Sequence, residues 1–418
     1  MKDTLLEYLN DGCNVFLTGG AGTGKTTLVK SIIEAYEHES KKIAKLASTG
    51  MAATLIGGQT LHSFLDIGIC NSINELDNSS KSKLTKKLKN IIASIHLIII
   101  DEISMVSASL FDLIIYRLAQ ADFQGSLLVV GDFLQLPPVV KNSFQVNFAF
   151  ESSTWSNSDF ITIELDKNYR TQDLDFISVL NDIRYGKVDE NAAGMLESFV
   201  RPFNEELKNF TLLFGKNVSA EEHNKRQLSY ISSDLHVKEC EIIIHDKKVS
   251  DNDIERFFKD SRIVRVLELK IGVPILFTKN AWNNYNGERG VVVKVDEQYV
   301  YVQKSEGVIV KLEQVAEHKT IWVENAEKES EEKRLFSVYQ YPITLAFAIT
   351  IHKSQGMSIK DLIIETNEIF APSQFYVALS RATSKERLIL IQPRRSWKSL
   401  VFVNQKAINF TLENKLRD

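Results

Sequence analysis

The stretch Val15–Thr27, VFLTGGAGTGKTT, constrains this chain more than any other. A short apolar run leads into Gly19–Thr26, GGAGTGKT, which fits the pattern GxxxxGK[ST]. The amphipathic stretch Leu28–Tyr36 follows with helical spacing. Strand, glycine loop and helix in that order make a phosphate cradle. The glycines let successive N–H groups turn inward, and the helix adds the positive end of its dipole. Gly19, Gly20, Ala21, Gly22, Thr23, Gly24, Lys25, Thr26 and Thr27 are the candidate nucleotide-binding residues. Lys25 is suited to the terminal phosphates and Thr26 to a magnesium ion.

The rest of the chain has the same texture. Val15–Thr18, Ile43–Ala47, Leu97–Ile100 and Leu127–Val130 read as buried parallel strands, with helices such as Ala108–Ala119 between them. A second set, Ile161–Leu165, Phe210–Phe214, Val273–Thr278, Ile343–Thr350, Leu362–Glu365 and Leu388–Ile391, predicts a second α/β domain. Between Gly290 and Leu312, short Val/Tyr-rich runs separated by turns predict an antiparallel meander or small barrel. The polar stretch Asp77–Asn90 carries Lys81, Lys83, Lys86, Lys87 and Lys89. It reads either as a solvated helix face or as an insertion that contacts nucleic acid.

The catalytic candidates lie at strand ends, where ligands of α/β sheets bind. In Leu97–Ser104, LIIIDEIS, Asp101 can hold Mg2+ while Glu102 orients or deprotonates an attacking water. With the glycine loop upstream, this is the signature of an ATPase. Gln135, in GDFLQLPP, is placed to sense the γ-phosphate. Arg170 in LDKNYRTQ and Arg381 in FYVALSRATS are candidate arginine fingers, charge-neutralising groups for the transferring phosphoryl. If both belong to the second domain, hydrolysis is linked to domain closure.

Bulk composition excludes other classes. At 418 residues, 44% hydrophobic and 25% charged, the chain is neither disordered nor fibrous. Cys13, Cys70 and Cys240 form no CxxC pair, so neither a disulfide framework nor a zinc cluster is predicted. MKDTLLEYLNDG lacks the apolar core of a signal peptide, and no run reaches the ~20 apolar residues of a spanning helix. A cytoplasmic protein is expected. Fifty basic against 54 acidic residues give a net charge of −4, which argues against a protein that coats nucleic acid and leaves room for a local basic groove.

Taken together the motifs resemble a superfamily 1 helicase, closest in wording and order to the Pif (petite integration frequency) DNA helicases, the RecD-like superfamily 1B. The resemblance rests on VFLTGGAGTGKTTL, ASTGMAA, GGQTLHSFL, LIIIDEISMV, GDFLQLPPV, LDKNYR, FISVLNDIRYG, YPITLAFAITIHKSQGMSI and VALSRATS, spread from Val15 to Ile391. It implies two RecA-like P-loop domains, parallel sheets flanked by helices, over 1–160 and 161–418. It also implies an inserted wedge at 66–95 and a small Src-homology-3-like β-barrel at 290–338. ATP and Mg2+ would bind between the domains, with Gln355 and Gly356 near the nucleotide. The implied activity is 5′ to 3′ translocation on single-stranded DNA with unwinding of duplexes, in the setting of DNA repair, recombination and telomere maintenance. The implied partners are single-stranded DNA and tailed or forked duplexes, with G-quadruplexes and RNA–DNA hybrids as further candidates, and the implied state is a monomer.

By position, Ser48, Thr49, Gly50, Thr60, His62 and Phe64 match the family's first DNA-binding motifs, and Thr350, His352 and Lys353 those of the second domain. Hydroxyls and backbone N–H groups suit phosphates, whereas His62 and Phe64 suit stacking on bases. Phe64 reads equally well as core, and His62 as a satisfied imidazole. One departure concerns the base: no glutamine precedes Gln59, whereas many relatives use an upstream glutamine for adenine. A translocase within a larger complex, and an ATPase switch that remodels nucleoprotein without separating strands, are the rival readings.

Overall fold

The computed structural model describes residues 1–68, 70–138, 146–202, 207, 209–261, 263–281, 283–324 and 330–415. Val139 of the GDFLQLPPV motif, Ile69 of the expected wedge and residues 325–329 of the expected barrel lie outside them.

Alternation along the strands builds the first sheet. It has six strands: β1 Val15–Gly19, β2 Ile43–Ala47, β3 Gln59–Thr60, β4 Leu97–Asp101, β5 Ser126–Val130 and β6 Ile161–Leu165. All are parallel, in the order β3-β2-β4-β5-β1-β6. Both faces are covered, which is why β1, β4 and β5 are buried throughout. Val15 and Leu17 join one core, with helix Lys25–His38 and Leu5 and Leu9 of helix Lys2–Asn10. Phe16 between them points into the other, with helix Ala108–Gln120.

The second sheet is smaller. Strands Ala348–Thr350, Thr211–Phe214, Leu362–Ile364 and Leu388–Leu390 pair in that order, all parallel. Helices Leu174–Arg184, Glu190–Ser198 and Gln374–Leu379 cover it and contribute Phe176, Leu196 and Phe375 to its core.

The meander expected at Gly290–Leu312 is part of a five-stranded antiparallel sheet. Arg289–Val295, Val300–Lys304 and Ile309–Leu312 form it with Pro274–Phe277 and Ile343–Leu345. A long hairpin, Val315–Glu324 with Ser330–Gln340, leads away from it and adds Glu241–Ile244 as a third strand. Trp322 of that hairpin packs against the first unit's core.

Three strand expectations need correction. Ile161–Leu165 pairs with β1, so it closes the first sheet rather than opening the second. Val273–Thr278 lies in the antiparallel sheet, because an apolar run does not reveal which partner covers it. Ile343–Thr350 is two strands, one in each kind of sheet, broken at 346–347 where the chain crosses between them. The chain's last helix, Gln405–Lys415, also returns to the first unit, with Ala407 in its core and Phe410 packed on it.

Within 66–95, helices Ile73–Asp77 and Lys86–Ala93 bury Leu76, Ile91 and Ile92, while Lys83, Lys86, Lys87 and Lys89 face solvent. Arg117 pins this insertion from beneath. Its guanidinium, wholly buried, donates to the carbonyls of Asp66 (2.9 Å) and Lys81 (2.5 Å). Among the described residues no helix is long and apolar enough to cross a membrane.

Candidate active site and nucleic-acid interface

The glycine loop leaves the carboxyl end of β1 and closes on Gly24, the N-cap of helix Lys25–His38. Gly22 and Gly24 hold φ of +82° and +88°, left-handed values that favour glycine. A Cβ on Gly22 would also stand 2.9 Å from the Cβ of Arg170. Thr23 Oγ1 donates to the Gly20 carbonyl at 2.9 Å, fixing the turn. Lys25 Nζ folds back and donates to the carbonyls of Gly19 (2.7 Å) and Gly20 (2.9 Å). Burial pushes its ammonium down, and Asp132 and Glu102 work against that shift. Thr26 and Thr27 are exposed on the helix's first turn.

The acid pair sits at the end of β4. Glu102 N–H donates to Asp101 Oδ1 at 2.8 Å, and Glu102 itself adopts φ +53°. A left-handed non-glycine residue costs about 1–2 kcal/mol, so the surrounding fold holds this carboxylate in place against local preference. Burial, together with the neighbouring charge of Glu102, pushes the Asp101 carboxyl up to about 7. The donor set of Asp101 and Thr26 is hard oxygen, which suits Mg2+. The described residues offer no cluster of three or more His, Cys, Asp or Glu side chains that could hold a metal.

Arg170 and Arg381 meet at the seam between the two units. Asn168, two residues before Arg170, donates to the Ala21 carbonyl at 3.1 Å, and Tyr169 N–H donates to the Gly22 carbonyl at 2.9 Å. The Asn-Tyr-Arg segment is thus sewn to the glycine loop. Arg170 reaches across to Ser358 Oγ (3.0 Å) and the Ser380 carbonyl (2.7 Å). Arg381 donates to Val377 O (3.0 Å) and Ser380 Oγ (2.9 Å). Burial, and then the charge of Arg381, lower Arg170 to about 9, while burial lowers Arg381 to about 10. Two buried guanidiniums, both lowered by burial and one of them by the other's charge, form a site short of negative charge, which a polyphosphate would supply. Gln355 is buried nearby, and a Cβ on Gly356 (φ +74°) would stand 3.3 Å from Leu55 Cδ1 of the first unit.

Four neighbours of this site, Asp132, Arg184, Tyr376 and Tyr169, were not among the sequence candidates, whereas Gln135 was. Gln135 is buried and donates from Nε2 to Asp132 Oδ2 at 3.2 Å. Arg184 donates to both oxygens of Asp132, at 3.0 and 2.9 Å. Tyr376 Oη accepts the Ala21 N–H at 2.9 Å. The Tyr169 ring, 68% exposed, lies against Gly24. Arg184 had a legible signal: Phe176, Val179, Leu180 and Ile183 mark the buried stripe of its helix, and the arginine stands where that stripe continues.

The DNA-contact candidates divide. Ser48 Oγ donates to the Glu102 carbonyl at 3.2 Å, tying the end of β2 to the acid pair. Thr49 Oγ1 accepts the Ala52 N–H at 3.2 Å as helix Gly50–Leu55 begins. Thr60 caps helix Leu61–Phe64, leaving His62 exposed. Phe64 is corrected: only 4% exposed, it belongs to the first core and offers no face for stacking. Thr350 is also buried, and its Oγ1 accepts the Lys353 N–H at 3.3 Å, so its hydroxyl shapes the turn that carries the half-buried His352 and Lys353.

Comparison with known proteins decides the family. The model of the PIF1-like helicase family matches residues 5–194, and a second family described as helicase matches 286–409. The ATP-dependent DNA helicase Pif1 of Campylobacter jejuni is 39% identical over 414 residues, covering 94% of this chain and 91% of that one. The chain belongs to the PIF1-like helicase family. The crystal structure of a Bacteroides Pif1 in complex with ADP-AlF4 superposes with a TM-score of 0.85 at 26% identity, covering 100% of this chain and 96% of the other. A Bacteroides Pif1 bound to single-stranded DNA gives 0.64 at 27% identity, covering 100% and 97%. The arrangement seen here is therefore nearer the DNA-free forms of that helicase, whether unliganded (TM-score 0.84) or with the nucleotide analogue, than its DNA-bound form. The two parallel α/β units with antiparallel additions are the architecture of this family.

Proposed function

We propose that this member of the PIF1-like helicases is an ATP-dependent DNA helicase that moves 5′ to 3′ on single-stranded DNA and unwinds tailed or forked duplexes. One observation carries the reading. The phosphate-loop lysine and two buried, charge-starved arginines converge on a seam between two parallel α/β units. The units are 1–165 with helix 405–415, and 166–404. Lys25 leaves the Gly19 and Gly20 carbonyls to meet the terminal phosphates. Thr26 and Asp101 would hold Mg2+, which would supply charge neutralisation on the phosphate oxygens. Glu102 orients the attacking water and takes its proton, Gln135 reads the γ-phosphate, and Arg170 and Arg381 draw the second unit down onto the nucleotide. Ser48, Thr49, Gly50, Thr60 and His62 grip DNA on one unit, and His352 and Lys353 on the other. The half-buried free cysteines Cys13, Cys70 and Cys240 fit a reducing, cytoplasmic setting.

The test is ATP-dependent unwinding of matched duplexes bearing only a 5′ or only a 3′ single-stranded tail. Unwinding confined to the 5′ tail is expected. Activity on the 3′ tail alone would overturn the polarity. DNA-stimulated hydrolysis without strand separation would favour a translocase awaiting a partner, or a switch.

A further inference from the structure

The Asp132–Arg184 pair lies between the units, and none of the roles assigned above uses it. Arg184 ends helix Leu174–Arg184, which packs on the second unit through Phe176, Val179, Leu180 and Ile183. Its guanidinium leaves that unit and enters the first. There it meets both oxygens of Asp132 and lies 3.7 Å from Glu164 Oε1 at the end of β6. It also runs beneath the glycine loop, where a Cβ on Gly20 would stand 3.9 Å from its Cδ and Nε. Both partners are almost wholly shielded, at 3% and 1% side-chain exposure. Burial alone would discharge them, yet the mutual attraction wins: Asp132 is held below the usual carboxylate range and Arg184 above its own. The bidentate fork fixes orientation as well as distance.

Asp132 is also the anchor of the loop that presents Gln135. Its Oδ1 accepts the Leu134 N–H at 3.1 Å, and its Oδ2 accepts from the Gln135 amide. The same carboxylate is the leading charge that supports the Lys25 ammonium. A single fork therefore joins three parts that must move in concert: the lysine loop, the γ-phosphate sensor and the helical layer of the second unit.

We propose that Arg184 is a positioning residue that couples the nucleotide site to movement of the second unit, with Asp132 as its relay to Gln135 and Lys25. Arg184 touches no reacting atom in this scheme. When the γ-phosphate draws Gln135 and Lys25 toward itself, the Asp132 carboxylate turns with them. The fork converts that turn into a displacement of helix Leu174–Arg184. Lysine in its place keeps the charge but, as a single-point donor, cannot transmit orientation.

The inference rests on the reading that ATP is hydrolysed at this seam, so DNA-stimulated hydrolysis by the unaltered chain is measured first; its absence would remove that reading rather than this one. Arg184→Lys and Asp132→Asn are then compared with it for melting temperature, KM for ATP, DNA-stimulated kcat and base pairs unwound per ATP. Arg184→Lys is expected to melt within a few degrees of the unaltered chain and keep KM within about twofold. Its DNA-stimulated kcat should fall about tenfold, and unwinding per ATP should fall further, as a small misplacement of a transition-state contact would produce. The double variant Arg184→Lys/Asp132→Asn should lose no more than the worse single one, because both cut the same link. A merely structural pair would lower the melting temperature and leave kcat and unwinding per ATP of the folded protein unchanged. That result, or full additivity of the two variants, overturns the proposal.

Discussion

Truncating one ring on the last helix tests where the first unit ends. Phe410 stacks on Phe150 at 4.2 Å between centroids and 10° between planes, and meets Phe133 edge-on at 5.3 Å. It also lies 6.0 Å from Trp155 and 6.2 Å from Phe16 of β1. Removing a fully buried phenylalanine costs about 3–5 kcal/mol. Phe410 is half-buried, but each aromatic pair adds about 0.5–1.5 kcal/mol beyond area, so Phe410→Ala should cost about 2–3 kcal/mol. At about 2–4 °C per kcal/mol for a unit of this size, its calorimetric transition should fall by roughly 5–10 °C. Proteolysis near 401–404 should accelerate in parallel as the helix undocks. Leu412→Ala is the control: it is exposed on the same helix and should stay within about 0.5 kcal/mol. If Phe410→Ala melted like Leu412→Ala and resisted protease equally, the helix would not belong to the first core and the division at 165 and 405 would fail.

Further outcomes follow from the site. Glu102→Gln keeps shape but loses the base, so ATP binding should persist while hydrolysis falls ~10²–10⁴-fold; turnover at the unaltered rate would remove Glu102 from that role. The exposed Tyr169 ring beside Gly24 offers a stacking face to the nucleotide base, so Tyr169→Ala should raise KM for ATP about tenfold, with Tyr169→Phe within about twofold; equal KM values for all three would place the base elsewhere. The raised Asp101 carboxyl sets a pH dependence. The folded chain keeps a proton that the unfolded chain gives up, so the metal-free contribution of Asp101 to stability should fall as pH rises from the usual carboxylate range through about 7. Mg2+ competes with that proton, so the concentration for half-maximal hydrolysis should increase about tenfold per unit as pH drops below 7. Asp101→Asn should abolish this slope, and a slope that survives would assign it to another group.

Most of the first sheet was legible because its strands are buried on both faces and read as unbroken apolar runs, each followed by chemistry at its carboxyl end. β2 and β6 have the expected bounds, and β1, β4 and β5 differ by one residue. Pairing was not legible. Val273–Thr278 and Ile343–Thr350 are as apolar as any parallel strand, and only long-range register assigns Val273–Thr278 and Ile343–Leu345 to the antiparallel sheet and Ala348–Thr350 to the parallel one. Lys25, Asp101 and Glu102 announced themselves through local motifs. Arg184 and Asp132 did not: the stripe of its helix marks Arg184 as buried, but the pair's significance is a contact across 52 positions. Phe64 shows the converse limit: an aromatic residue in a binding motif can be there to fill the core beneath the residues that bind.

The chain leaves the first unit after Leu165 and comes back at Gln405. The second unit is therefore a long excursion from the first, fastened by two peptide crossings instead of one. A body pinned at two points turns readily only about the line that joins them; a single tether would let it swing in any direction. In the proposed cycle the axis of closure is then written into covalent connectivity, and the nucleotide has only to select its phase. The same double fastening bears on load. In the proposed cycle, tension along a strand gripped by both units divides between two peptide crossings, so the non-covalent seam can remain weak enough to open on every turn without risk of the motor coming apart.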